Sequence, residues 1–386
     1  MGATPSLAND GICSLATSTG TQRAERPANA IGALRLLFAS LVILAHSPEM
    51  LDGNLRREPL HMLFGGMSSG ALAVDAFFLI SGYLIAASFA SSASAGAYFV
   101  KRILRIFPAF LVCSLLCILL VAPLAGADLT SLRPAAWGRL GYRLLMLKSP
   151  EVEGAFAGLP YPTLNGSAWT ISYEFRCYIL AAVFGMAGLY RRRGTYVALT
   201  AAVLLVSLGL GWPGAPALNP PGWFQALFGD PLQDVRLLGA FMVGTCFWLY
   251  RGAPLHGRWA ALAVPVLIGL MFTRVAETAL LLLGGYILFW VAFKARWKPL
   301  LTINAKDDIS YGIYLYAWPV GALLIWWWRS IPVSLLGLLT FTCAAILGAA
   351  SWFLIERPAL RWKPAGRLTP RRNAAVTPTD PMRRQA

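Results

Sequence analysis

The sequence consists largely of long apolar runs that are separated by short clusters of charged residues. A helix needs roughly 20 apolar residues to cross a bilayer, because each residue adds about 1.5 Å to its length. Backbone amides inside a bilayer must be hydrogen-bonded within their own segment, so runs of this kind predict helices. We predict about ten spans, at residues 31–48, 71–90, 106–125, 169–190, 195–211, 233–250, 259–273, 276–293, 310–328 and 332–355. The predicted fold class is all-α, a polytopic transmembrane helical bundle.

The charged residues are too few for a typical soluble protein, and their positions argue against a nucleic-acid-binding one. They make up 13% of the chain, whereas soluble domains carry roughly a quarter. The net charge of +16 comes mainly from alternate connections between the apolar runs, as in the positive-inside pattern of membrane proteins. With ten spans this pattern places both termini in the cytoplasm, and it requires no nucleic-acid partner.

The two ends of the chain are polar and flank one membrane domain. Residues 1–30 lack the apolar core of a signal peptide and are predicted to be a flexible cytoplasmic arm. Residues 31–360 form the predicted transmembrane domain. Residues 361–386 are basic and are predicted to be a disordered cytoplasmic tail, with contact to anionic lipid as the functional alternative. The six cysteines show no spacing typical of a metal site, and we predict none.

Two ionisable residues of the first span, Arg35 and His46, are candidates for a functional role because charges inside a span are costly. Eleven residues correspond to three helical turns plus about 20°, so both side chains share one face, ~16.5 Å apart along the axis. Arg35 could instead reach the inner headgroups, and His46 could be a hydrogen-bonded residue at the interface.

Two carboxylates also lie inside predicted spans, Asp75 in the second and Glu174 in the fourth. Such a group must be protonated or paired with a cation or donor. Asp75 is expected to neutralise Arg35 or to orient His46, as carboxylates do for catalytic imidazoles. Glu174 is either a functional carboxylate or a structural partner of Arg176.

Arg102 and Arg105 precede the third predicted span and are neighbours on one helical face, three residues apart. Such a pair can bind phosphate through bidentate contacts. The alternative is ordinary positive-inside charge.

Six segments in this order resemble the acyltransferase 3 family, the membrane O-acyltransferases that modify bacterial surface polysaccharides. They are Arg35-x10-His46, Val74–Ile85, Tyr98–Pro108, Trp169–Glu174, Ile309–Tyr316 and Glu356–Pro358. The chain departs from the family pattern at Ala317, where a histidine is usual, and at Arg176, which follows Glu174.

The resemblance implies an acyltransferase of about ten spans in the bacterial inner membrane, with membrane lipid around it. It would move an acyl group, usually acetyl, from acyl-CoA to a sugar hydroxyl of a surface glycan or glycolipid, with no permanently bound cofactor. His46 is then expected to act as general base or to carry the acyl group itself. The expected site comprises His46, Arg35, Asp75 and Glu174 for catalysis, Arg102 and Arg105 for the phosphates of coenzyme A, and Trp169 for the carbohydrate acceptor.

Two other function classes remain open at the level of the sequence. A transporter or flippase of a polar lipid or glycan would also line its path with intramembrane charges, but it predicts internal repeats, which we do not find. A non-catalytic membrane partner in polysaccharide assembly is conceivable because Ala317 replaces the usual histidine.

Overall fold

The computed structural model describes residues 29–215 and 218–362. Nearly all of the predicted N-terminal arm and C-terminal tail lies outside the described residues. Within the described part of the chain every regular element is a helix. The predicted all-α class is therefore confirmed.

Residues 29–215 and 218–362 form ten apolar helices and one amphipathic helix, besides a few short ones, and each predicted span overlaps one of the ten. The helices are α1 (Ile31–Asp52), α2 (Ser69–Ala90), α3 (Ala95–Leu124), α4 (Pro134–Leu145), α5 (Trp169–Met186), α6 (Arg193–Leu210), α7 (Pro231–Leu249), α8 (Gly257–Leu270), α9 (Ala276–Lys294), α10 (Ser310–Trp327) and α11 (Val333–Arg361). Short helices at Pro59–Phe64, Gly222–Phe228 and Lys298–Thr302 lie in the connections. The amphipathic helix is α4, in the longest predicted connection.

Six of the described helices are long and apolar enough to cross a membrane: α1, α2, α3, α6, α9 and α11. Large apolar side chains on their outer surfaces are exposed, among them Leu119, Leu205 and Leu354. Contiguous exposed apolar surface of this kind marks contact with lipid or with another protein. The chain is thus a helical protein with several membrane spans, while the total of ten stays a prediction.

The main difference from the sequence expectation concerns α3, which begins at Ala95 rather than near residue 106. The Ser94 side chain accepts a hydrogen bond from the backbone N–H of Ala97, which is a typical N-cap. Lys101, Arg102 and Arg105 consequently lie on the helix itself rather than in a connection before it.

Some helices at the centre of the bundle pack closely because glycines face the backbone of the neighbouring helix. A Cβ atom on Gly82 of α2 would stand 1.9 Å from the carbonyl oxygen of Phe241 in α7. Gly312 of α10 and Gly348 of α11 face each other, and a Cβ atom on Gly312 would stand 2.6 Å from the Cα atom of Gly348. Small residues of this kind allow backbones of membrane helices to approach. Helix α1, which carries Arg35 and His46, packs against α2, α10 and α11.

Candidate functional site

A cavity of about 270 Å³ lies between α1, α2, α3, α5 and α10, and we call it the basic cavity. One end carries cationic side chains, and the walls are mainly apolar with a few hydroxyl groups and one carboxylate. The cations are Arg35, Lys101, Arg102 and Arg105, and the carboxylate is Glu174. Four of the predicted site residues therefore line one cavity.

Two of these arginines are held by carboxylates, of which Asp308 was not singled out in the sequence and Glu356 was noted only as part of the segment Glu356–Pro358. Arg35 and Arg105 both form ion pairs with Asp308, with Arg105 Nη2 2.9 Å from Asp308 Oδ2. Arg105 Nη1 also lies 3.0 Å from Glu356 Oε2, and Glu356 is almost fully buried. We call these four residues the Asp308 cluster. It ties α1, α3 and α11 to the start of α10, so much of the charge on the two arginines is already compensated.

The carboxyl group of Asp308 stays ionised within this cluster. Burial by itself raises the pKa of Asp308, but Arg35 and Arg105 outweigh that effect. Hydrogen bonds from the Ser310 hydroxyl and the Asn304 amide also lower it, and the pKa falls to about 2. Asp308 therefore carries its full negative charge at neutral pH. It precedes α10 directly and lies outside every predicted span, which is why an analysis of charges within spans did not find it.

Arg102, by contrast, has no carboxylate partner among the described residues. Its guanidinium lies near the rings of Tyr98 and Tyr178, 6.0 and 5.9 Å from their centroids. Its buried Nε atom has no hydrogen-bond acceptor in the part of the chain that the structure describes. Lys101 beside it donates a hydrogen bond to the Ser92 hydroxyl. Arg102 is thus the arginine of the basic cavity whose charge is most available to a bound anion.

Glu174 lines the same cavity and is bound by hydroxyl groups rather than by a cation. Its Oε1 atom accepts hydrogen bonds from Tyr178 Oη at 2.6 Å and from Ser81 Oγ at 3.0 Å. The predicted alternative of a pair with Arg176 is wrong, because Arg176 Nη2 lies 2.9 Å from Asp234 Oδ1. The second oxygen of Glu174 remains available to donors on a ligand in the cavity.

Asp75 has partners that the sequence analysis did not predict. It is fully buried, and its Oδ1 atom lies 2.7 Å from Arg236 Nη2. The Nε atom of Arg236 is 3.2 Å from Glu277 Oε1. Both predicted roles of Asp75, neutralising Arg35 and orienting His46, are therefore wrong in this structure. Arg236 lies inside the predicted span 233–250, so the cost of an intramembrane cation was a signal that could have found it.

The carboxylate beside His46 is Glu49, one helical turn further along α1. His46 Nδ1 lies 2.7 Å from Glu49 Oε2. The Trp318 ring packs edge-on against the imidazole, with 4.9 Å between ring centroids. When Nδ1 donates its proton to Glu49, Nε2 is left as the proton acceptor. The i,i+3 spacing of the two residues was the sequence signal for this pair.

His46 does not line the basic cavity; it lines a second, small cavity between α1, α10 and α11. Arg35 faces Asp308, just before α10, and His46 faces Trp318 within α10. Both side chains thus lie on the side of α1 that faces α10, which agrees with the predicted shared helix face. The two cavities are stacked along α10, because Tyr311 and Tyr314 line the first while Ala317 and Trp318 line the second.

Three rings lie at the level between the cavities, and we call them the aromatic layer: Phe38, Phe77 and Tyr314. The centroid of Phe77 is 6.1 Å from that of Phe38 and 6.0 Å from that of Tyr314. The Tyr314 hydroxyl lies 2.7 Å from Thr170 Oγ1 and donates to the carbonyl of Ser167. Phe77 and Tyr314 belong to the wall of the basic cavity, and none of the three rings lines the cavity of His46.

The connection between α4 and α5 covers the His46 end of the bundle. The indole N–H of Trp318 donates to the carbonyl of Thr163 at 3.0 Å, and the Tyr161 ring packs against Trp318. Trp169, the predicted acceptor residue, packs edge-on against Tyr173 and is not among the residues of either cavity. Its role in acceptor binding stays a prediction.

A family model and one of two similar proteins point to acyl transfer. The model of a family described as an acyltransferase domain matches residues 29–357. An O-acetyl transferase of Shigella phage Sf6 is 29% identical over 343 residues, which cover 85% of this chain and 95% of that protein. Nodulation protein 10 of Rhizobium leguminosarum bv. viciae is 27% identical over 361 residues, or 85% of this chain and 92% of that one. No solved structure matches the chain.

Proposed function

This chain belongs to the acyltransferase 3 family, and from that premise we propose that it transfers an acyl group from acyl-CoA to a sugar hydroxyl of a surface glycan or glycolipid. The acyl group is acetyl in this proposal, in keeping with the O-acetyl transferase to which the chain is similar. The chain is an acyltransferase with several membrane spans; donor, acceptor and inner-membrane location are the proposed parts.

The observation that carries the proposed donor is the unpaired guanidinium of Arg102 at the cationic end of an apolar-walled cavity. Arginine binds phosphate through several directed hydrogen bonds. Arg102, with Lys101 beside it, would hold phosphates of coenzyme A, and the pantetheine arm would lie along the apolar walls. A volume of about 270 Å³ suits that arm, with the nucleotide outside.

The remaining charged groups of the cavity have distinct proposed roles. Arg35 and Arg105 are bound to Asp308, so their proposed role is to hold the cationic end in shape. Glu174 would accept hydrogen bonds from amide N–H groups of the pantetheine arm, because its free oxygen belongs to the same cavity. This proposal assigns Glu174 to donor binding rather than to the catalytic role expected from the sequence.

His46 is the proposed base. Its Nε2 atom takes the proton of the acceptor hydroxyl, whose oxygen attacks the thioester carbonyl, and the C–S bond breaks to leave a thiolate that is then protonated. Glu49 holds the imidazole by Nδ1 and stabilises the imidazolium that forms. In the alternative route Nε2 attacks the thioester itself and passes the acyl group to the acceptor. Either route needs the aromatic layer to open, because it stands between the cavity and His46.

The proposed orientation places the cationic end of the basic cavity in the cytoplasm, where acyl-CoA is made. Basic residues favour cytoplasmic connections, and this end carries Lys101, Arg102 and Arg105. His46 and the connection that covers it would then face outward, towards a surface glycan. Both termini would be cytoplasmic if all ten apolar helices cross the inner membrane.

Release of free coenzyme A from acetyl-CoA tests the proposal, with purified protein in detergent and a surface-glycan fraction as acceptor. We expect Arg102→Gln to raise the KM for acetyl-CoA about tenfold, the scale of one lost charged hydrogen bond, with a small change in kcat. The matched control is Arg258→Gln, which alters an exposed arginine of α8 outside the cavity.

His46→Gln is expected to abolish turnover and leave acetyl-CoA binding intact.

Two outcomes would contradict the proposal. Folded wild-type protein that binds no acetyl-CoA would exclude this donor. Binding without release of coenzyme A in the presence of acceptor would favour a transporter or an assembly partner.

A further inference from the structure

The small cavity beside His46 has the size of a site for one water molecule. Its volume is about 10 Å³, and a buried water needs roughly 10–15 Å³ together with two to four polar partners. Most of its wall is apolar, and His46, Ser47 and Thr340 are the lining residues whose side chains could bind a water.

Thr340 of α11 provides the clearest sign that something polar belongs in this cavity. Its side chain is 4% exposed, and its hydroxyl oxygen has no hydrogen-bond partner among the described residues. A buried hydroxyl without a partner is costly, so such groups are normally satisfied by protein or by water. A Cβ atom on Gly321 of α10 would stand 3.4 Å from Thr340 Oγ1. The missing side chain of Gly321 therefore leaves room in front of this hydroxyl.

Ser47 of α1 lies in a similar position on another wall of the cavity. Its hydroxyl donates to the carbonyl of Ile43 at 2.7 Å, so its oxygen can still accept a hydrogen bond. A Cβ atom on Gly337 of α11 would stand 3.3 Å from Ser47 Oγ. Each of the two buried hydroxyls thus faces a glycine of a neighbouring helix.

His46 completes the set of polar groups. Because Glu49 binds Nδ1, the ring nitrogen left for another partner is Nε2. A water at this position would accept a hydrogen bond from Thr340 and donate to Ser47 Oγ and to His46 Nε2. Three hydrogen bonds are typical for a buried water, and the donors and acceptors of this set match without conflict.

We propose that this cavity holds one water molecule bound to Thr340, Ser47 and His46, and that Thr340 is thereby a positioning residue of the transfer reaction. Glu49 and the water would hold the imidazole from its two nitrogens. The acceptor hydroxyl would replace the water at Nε2 when the transfer begins. This inference rests on the proposed role of His46 as base, but the presence of the water does not.

The substitution Thr340→Val tests the proposal because it replaces the hydroxyl by a methyl group of similar size. If the cavity holds the water, Thr340→Val removes one of its three partners. We then expect kcat to fall about tenfold, the scale of one lost hydrogen bond near a reacting group, with an unchanged KM for acetyl-CoA and no gain in thermal stability. Thr340→Ser keeps the hydroxyl and is expected to retain most of the wild-type kcat.

The matched control is Thr342→Val on the same helix, an exposed residue whose hydroxyl donates to the carbonyl of Leu338. It is expected to leave kcat unchanged. If the cavity is dry, Thr340→Val removes an unsatisfied hydroxyl, so the melting temperature rises and kcat does not fall; that result overturns the proposal. Loss of activity in Thr340→Ser as well as in Thr340→Val also overturns it. The melting temperatures remain informative even if no acyl transfer is found, so failure of this inference and failure of the proposed function are distinguishable.

Discussion

Charged side chains in the interior of the bundle have partners that compensate the cost of burial. Asp75 is paired with Arg236, Arg105 with Asp308 and Glu356, and Glu174 is bound by hydroxyl groups. A charge without such a partner is costly in a low-dielectric interior. Against this pattern Arg102 stands out, because it is placed in a cavity without a carboxylate beside it. Its charge is therefore the one best suited to a ligand.

At the residue scale, Asp308 makes stability depend on pH under acidic conditions. Its pKa is lowered from 3.8 to about 2 in the folded protein. Its contribution is fully present above pH 4 and is lost as the pH falls from about 4 to about 2. The lost stability is about 2 kcal/mol, from about 1.4 kcal/mol per pH unit. Unfolding in detergent, followed by tryptophan fluorescence across this range, measures it.

The control variants for this prediction are Asp308→Asn and Glu153→Gln. Asp308→Asn is expected to be less stable at pH 7 and to lack this loss on acidification. Glu153 is exposed, so Glu153→Gln is expected to keep the wild-type pH profile. An unchanged profile in Asp308→Asn would refute the assignment.

The ion pair of Asp75 and Arg236 gives a second prediction at this scale. Arg236→Met leaves the fully buried Asp75 without its cation, and we expect a loss of about 3–5 kcal/mol. The double variant Asp75→Asn with Arg236→Met is expected to lose less, since no fully buried charge is left unpaired and Glu277, the other partner of Arg236, is partly exposed. A double-mutant cycle measured by thermal unfolding gives the coupling. Additive losses would show that the pair is not coupled.

Among the helices, α10 organises the site. It begins just after Asp308, its residue Tyr314 belongs to the aromatic layer, and Trp318 packs on His46. Tyr314 and Trp318 are four residues apart, or about 6 Å along the axis. A single helix therefore sets the spacing between the basic cavity and the imidazole.

The hydrogen bonds of Tyr314 predict that the aromatic layer restrains reaction with water. Tyr314→Phe keeps the ring but loses the bonds to Thr170 and Ser167. We expect release of coenzyme A without acceptor to rise about fivefold, the equivalent of one hydrogen bond of about 1 kcal/mol. The ratio of acceptor-free to acceptor-dependent release is the measurement. A constant ratio in Tyr314→Phe would mean that the layer is no barrier.

Close packing of α2 on α7 gives another prediction at the scale of the elements. A Cβ atom on Gly82 would overlap the carbonyl oxygen of Phe241, so Gly82→Ala is expected to cost at least about 1–3 kcal/mol through overpacking. Gly209 of α6 has nothing within 4 Å of such a Cβ, and Gly209→Ala is expected to cost nothing. Melting temperatures in detergent compare the two. Equal stability of both variants would contradict the packing argument.

On the scale of the whole molecule, the two ends of the bundle differ in character. One end carries the cationic mouth of the basic cavity, and the other is covered by the connection that contacts Trp318. Under the proposed function, the donor would enter at the first end and the acceptor would arrive at the second. That separation suits a group transfer between two compartments.

This asymmetry predicts opposite accessibility of the two ends. In a background without native cysteines, Ala93→Cys before α3 is expected to react with a membrane-impermeant thiol reagent only from the cytoplasmic side. Glu153→Cys, in the connection after α4, is expected to react only from the outside. Both positions are exposed, so burial does not limit the reaction. Labelling of intact cells compared with opened membranes measures the difference, and labelling of both from one side would refute the orientation.

The apolar runs by themselves determined the helical class and the positions of the ten apolar helices, because segment length and hydropathy are local properties that the bilayer selects. The family was likewise readable from local segments such as Arg35-x10-His46. The shared face of Arg35 and His46 also followed from helix geometry alone.

Only the tertiary structure decided which charge meets which. Asp75 binds Arg236 rather than Arg35 or His46, Glu174 binds hydroxyl groups rather than Arg176, and Asp308 holds two arginines. Such pairings depend on the order and rotation of helices in the bundle, which are set by contacts between residues far apart in the chain. For the same reason the sequence did not show that an aromatic layer lies between the basic cavity and His46.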